Sequence, residues 1–132
     1  MATNNTKSPS DGLVENLKKA VTEILILSFL NLRSMPIYEI LKLLDETSHS
    51  MCKISYPYAA IYRLLDANCI VETKKQQAKD NRRRQYYKIT KKGVAYLLEL
   101  RQTYTLFIEE IQSIFNFVDN KEDGQHEPDA TN

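Results

Sequence analysis

The chain has 132 residues, enough to bury one core and too few for two domains. Hydrophobic residues make up 42% and charged residues 27%, which excludes a wholly disordered chain, while three glycines and four prolines are too few for a turn-rich β-sandwich. The net charge of +1 hides an asymmetry: nine Lys/Arg against one acid (Asp80) between Lys74 and Lys92, and five acids against one lysine from Asp119 onward.

Residues 1–11, MATNNTKSPSD, are polar and without pattern, and they read as a disordered arm. From Leu13 apolar residues recur at helical spacing through Leu17, Val21, Ile24 and Leu27, predicting a first helix that ends near Asn31. Ser34-Met35-Pro36 restarts the chain. Pro36 fits the first turn of a short second helix, with Ile37, Ile40, Leu41 and Leu44 on one face and an end near Glu46. Met51 to Ile54 is a brief strand or an extended connector. A third helix opens around Pro57, capped by Ser55 or Tyr56, because proline disfavours helical geometry in the residue before it. Ile61, Leu64 and Leu65, with Tyr58 or Pro57, form its buried side; Ala59, Tyr62, Arg63 and Asp66 point outward. Asn68 suits a left-handed residue at its end.

The hydrophobic period then falls from 3.6 to about 2. The segments 69–76 and 84–90 predict a β-hairpin with a charged tip, and Thr90 predicts the N-cap of a last helix running to about Val118. Along that helix Leu97, Leu100, Tyr104, Phe107, Ile111, Ile114 and Val118 are spaced alternately by three and four, a heptad seam of about three repeats. Such a stripe needs a partner. With Leu17, Val21 and Ile24 of the first helix, it predicts a homodimer.

Cys52 and Cys69 lie in apolar surroundings, and neither they nor His49 and His126 have metal-ligand spacing, so both cysteines read as core residues and no metal or other cofactor is expected. The longest apolar run, 24-ILILSFLNL-32, is about half a membrane span. With no signal peptide recognisable, a cytoplasmic protein is expected. No nucleophile–base pair or glycine-rich phosphate loop appears, which argues against an enzyme.

The fold class is therefore mainly α with a small β element (α+β). Three short helices, a two-stranded β wing and a long C-terminal dimerisation helix make up a winged helix-turn-helix. Residues 12–92 form the DNA-binding domain, 93–118 the dimerisation helix and 119–132 an acidic disordered tail. In this arrangement the third helix enters the major groove of double-stranded DNA, and the wing meets flanking phosphates or the minor groove. Candidate contacts on and before the helix are Lys53, Ser55, Tyr56, Tyr58, Ala59, Tyr62 and Arg63. On the wing they are Lys74, Lys75, Lys79, Arg82, Arg83 and Arg84, cations that neutralise phosphates and release counterions. Tyr86 and Tyr87 are adjacent on a strand and must face opposite sides, one into the core. Glu39 and Glu72 read as solvated or paired with nearby bases.

Over roughly residues 17–118 the chain resembles the PadR family of bacterial transcriptional regulators. The fragment 38-YEI-40 is similar to that family's second-helix signature, and 55-SYPYAAIYRLLDANCI-70 to its recognition-helix segment. Most specific is 83-RRQYYKITKKG-93, in which Tyr86, Tyr87, Ile89, Thr90 and Gly93 match the family's wing strand residue by residue. Ser55 and Asn68 stand where glycines are usual, and Ala59 where a proline is. The resemblance implies a dimeric repressor. It also implies a small, often aromatic, effector at the dimer interface, where Tyr104, Phe107 and the first helix lie, although filling the dimer core is the simpler role for these residues. The competing reading is a dimeric winged-helix adaptor whose arginines bind an acidic protein.

Overall fold

A computed structural model of the chain describes residues 8–125. Helix α1 runs Pro9–Leu30, strand β1 is Met35–Pro36, helix α2 is Ile37–Thr47 and helix α3 is Tyr58–Asp66. Strands β2 (Ile70–Gln77) and β3 (Arg83–Ile89) form the hairpin, and helix α4 runs Lys91–Gln125. The chain divides after Leu97 into two compact units, so α4 begins in the first and continues through the second. Among the described residues no helix is long and apolar enough to cross a membrane.

α1 starts earlier than its apolar spacing predicts. Pro9 occupies its first position, and the Ser8 backbone N–H donates to the Asp11 carboxylate at 2.9 Å, closing the N-terminus before the stripe begins. Residues 8–11 of the polar arm are thus ordered; residues 1–7 and 126–132, read as arm and acidic tail, lie outside the described residues. α4 likewise continues past Val118 to Gln125. The Met51–Ile54 segment is a connector without strand pairing. Helical geometry in α3 begins at Pro57, whose carbonyl accepts from the Ile61 N–H at 3.0 Å, one or two residues after the expected cap.

The sheet has three strands in the order β1-β3-β2, all antiparallel. β1 is a pair of residues only, Met35 opposite Tyr87 and Pro36 opposite Tyr86. The hairpin register shifts between Glu72 and Lys75, and the irregularity is filled by side chains. Gln85 Nε2 donates to the Thr73 carbonyl, and Thr73 Oγ1 donates to the Tyr86 carbonyl at 3.3 Å. At the tip Asn81 adopts φ 66°, and Ala78 N–H donates to the Arg82 carbonyl at 2.8 Å.

The first unit's core joins Ile26, Leu27 and Leu30 of α1 with Met35, Ile40, Leu44, Ile61, Leu64, Cys69, Ile70, Tyr87 and Leu97. Cys69 is buried, Cys52 is half-buried, and both thiols are free. Leu97, the first residue of the expected seam, is enclosed in this core. The chain passes from β3 into α4 through one tight junction. Thr90 N–H donates to the Cys69 carbonyl at 3.0 Å, Thr90 Oγ1 donates to the Asn68 carbonyl at 2.7 Å, and that same hydroxyl accepts from the Gly93 N–H at 3.0 Å. Asn68 has φ 61°, the left-handed residue that its position predicts.

Candidate nucleic-acid interface

Helix α3 buries Pro57, Ala60, Ile61 and Leu64, which turns Ala59, Tyr62, Arg63 and Asp66 outward. Tyr58 is also turned out. Tyr56, Tyr58 and Tyr62 are 88%, 54% and 60% exposed, and the Tyr58 and Tyr62 rings, one turn apart, have centroids 6.2 Å apart with a 41° tilt. Lys53 and Ser55 are exposed just ahead of them, where Lys53, Ser55 and Tyr56 line a groove of about 370 Å³ with Lys18 and Lys19 of α1. Lys18 is paired there with Glu15 at 2.9 Å.

A second groove, of about 510 Å³, lies between the start of α2, the start of α3 and the wing. Tyr38, Tyr58, Lys75, Arg83 and Arg84 line it, so it joins a ring of α3 to three of the six predicted wing cations. Lys74, Lys79 and Arg82 are exposed elsewhere on the hairpin.

The wing cations differ in freedom. Arg84 is half-buried: its Nε and Nη2 donate to Asp80 Oδ2 at 3.2 and 2.6 Å, and its guanidinium lies 4.7 Å from the centre of the Tyr38 ring. Arg84 beside Asp80 holds that carboxyl below its ordinary range and is itself held above its own, each mainly through their mutual hydrogen bond. The Tyr38 hydroxyl in turn accepts from the Asp80 N–H at 3.2 Å. Lys79 Nζ is 3.7 Å from Glu39 Oε2, and Glu39, far from solvated, is only 5% exposed and ion-paired with Arg33. Arg82 and Arg83 make no such pairing that fixes their side chains among the described contacts, and Lys75 stands open on the groove.

Arg63 is not free either. Its Nε donates to Glu23 Oε2 of α1 at 2.9 Å, and the Tyr96 hydroxyl donates to Glu23 Oε1 at 3.1 Å. Tyr38 was legible only as part of the Tyr-Glu-Ile fragment, and nothing local marks it, Arg33, Glu23 or Tyr96 as support for these surfaces; Glu23 meets Arg63 and Tyr96 across 40 and 73 positions. Of the tyrosine pair, Tyr87 is the core residue and Tyr86 is half-buried. Burial pushes the Tyr87 hydroxyl above its ordinary value, with Glu72 adding to the effect. Among the described residues no cluster of His, Cys, Asp or Glu is placed to hold a metal ion.

Known proteins with solved structures share this architecture. The chain is similar to a PadR-like transcriptional regulator, BC4206, from Bacillus cereus (24% identity, 76% of this chain and 96% of that chain covered, TM-score 0.64). It is also similar to a PadR family regulator from Eggerthella lenta (18% identity, 80% and 91% covered, TM-score 0.69). A third is a PadR family transcription regulator from Clostridium difficile (27% identity, 72% and 97% covered, TM-score 0.55). A comparison with curated proteins finds no match. The profile of the Transcriptional regulator PadR-like family matches residues 26–99, from the core of α1 through the wing to the first turns of α4, and the chain belongs to that family of transcriptional regulators.

Proposed function

We propose that the protein is a homodimeric repressor that binds double-stranded DNA, with α3 in the major groove and the wing on flanking phosphates. The observation that carries this reading is the shared groove, in which Tyr58 of α3 stands with Lys75 and Arg83 of the wing. A helix face for base edges and a cation rail for phosphates are the two components that duplex recognition requires. The dimer rests on α4, where Tyr104, Phe107, Ile114 and Val118 are exposed along one stripe with Ile108 and Ile111 half-buried beside them. Leu17 on α1 is exposed as well, and Val21 and Ile24 are half-buried. An effector of small aromatic type, where the dimer takes one, would meet the same stripe at Tyr104 and Phe107 and the first helix, residues whose simpler role is to fill the dimer core. The protein acts in the bacterial cytoplasm.

Titrating genomic or random duplexes with the full chain over a salt series tests the proposal. Four to six phosphate contacts per dimer give log K against log salt a slope of roughly −4 to −5. Bound sequences should contain two half-sites about one helical turn apart. A slope near zero, or binding by a monomer, overturns it.

A further inference from the structure

The outer face of α3 is unusual for a helix that reads base edges, because its hydrogen-bonding groups are limited to the Tyr58 and Tyr62 hydroxyls, the guanidinium of Arg63 and the carboxylate of Asp66. Its sequence, YAAIYRLLD, contains no Asn, Gln or Lys. Side-chain forks of Asn or Gln select adenine, and those of Arg or Lys select guanine. The one guanidinium, Arg63, is tied through Nε to Glu23, which the Tyr96 hydroxyl holds in turn. Asp66 stands at the C-terminal end, whereas the N-terminal part of such a helix meets the bases. What the front of the helix does present is aromatic and methyl surface: Tyr58, Ala59 and Tyr62, with Tyr56 just before them.

That surface is flanked by cations on both sides. Tyr58 borders the groove containing Lys75 and Arg83, and Tyr56 borders the groove containing Lys19 and Lys53. A major groove has the complementary layout, a floor of base edges between two phosphate strands, and the apolar group on its floor is the thymine C5-methyl. We infer that α3 reads thymine methyl groups, packing Tyr58, Ala59 and Tyr62 against them, so that each half-site offers thymines at neighbouring positions. This inference rests on the DNA-binding reading above.

The test uses duplexes enriched by the full-length protein from a random pool, each compared with a copy in which deoxyuridine replaces thymine in the half-sites. The replacement removes methyl groups and leaves hydrogen-bonding edges and phosphates in place. Burying one methyl is worth roughly a fourfold change in affinity, so losing two or more should weaken binding by about tenfold or more, with the salt slope unchanged. Tyr62→Ala, at an exposed position that leaves the core intact, should erase most of that difference. Three outcomes overturn the inference. Failure to enrich any duplex sinks the DNA-binding reading along with it. Binding in which the two copies differ by less than about threefold sinks the methyl readout alone, and so does a guanine-anchored consensus lost on Arg63→Ala.

Discussion

Gly93 shows how one residue without a side chain fixes the joint between wing and last helix. A Cβ there would collide with the Cys69 carbonyl oxygen and lie 2.7 Å from Ile89 Cγ1, while the same carbonyl is needed by the Thr90 N–H. Gly93→Ala is therefore expected to destabilise the protein by roughly 1–3 kcal/mol, read as a lower urea midpoint at unchanged slope. The Asp80–Arg84 pair carries a pH dependence. Because the Asp80 carboxyl is held below its ordinary value, chiefly by Arg84, the contact is present above an unfolded-state pKa of about 3.9 and is lost as pH falls through the lower folded value. As pH falls through that folded value, the Arg82 amide, which donates to Asp80 Oδ1 at 3.1 Å, should lose protection relative to its intrinsic exchange rate, and Asp80→Asn should remove that acid-dependent step.

At the scale of elements, periodicity makes the hairpin, the three short helices and the α4 stripe legible in the sequence. The features that escaped have no periodicity to show. β1 is two residues that become a strand only because β3 lies beside them. The early start of α1 is written in Ser8-x-x-Asp11, a capping spacing that sits inside an otherwise patternless polar segment. The ties from Tyr38 to Asp80 and from Glu23 to Arg63 join positions about 40 residues apart, beyond the reach of local pattern. Tyr38 links α2 to the wing tip. Tyr38→Ala removes both the hydroxyl that accepts from Asp80 and the ring under Arg84, and severalfold faster amide exchange confined to residues 78–84 is expected. Exchange unchanged from the wild type would show that α2 does not hold the wing.

For the whole molecule, the proposed homodimer depends on the α4 stripe. Exposed apolar surface at Tyr104, Phe107, Ile114 and Val118 is costly in water, and the proposed association would remove it. Phe107→Asp places a charge in that seam and should shift the protein from dimer to monomer in sedimentation equilibrium at micromolar concentration, with the fold of residues 8–97 retained by circular dichroism. The same variant should flatten the salt dependence of DNA binding to about half its slope, since one protomer brings half the phosphate contacts. Leu97, enclosed in its own core, offers no such lever; substituting it should unfold the first unit instead of separating the protomers.

The fastening of the wing tip to α2 also bears on kinetics. A loop that orders only when DNA arrives loses conformational freedom at that moment, which lowers the net gain from each contact it makes. Here Asp80, Arg84 and Tyr38 have already settled the tip, so in the proposed complex Lys75 and Arg83 would meet a phosphate from a nearly fixed platform. Recognition can then proceed as a docking of two prepared surfaces, and differences between one operator and the next should appear chiefly in how long the complex lasts.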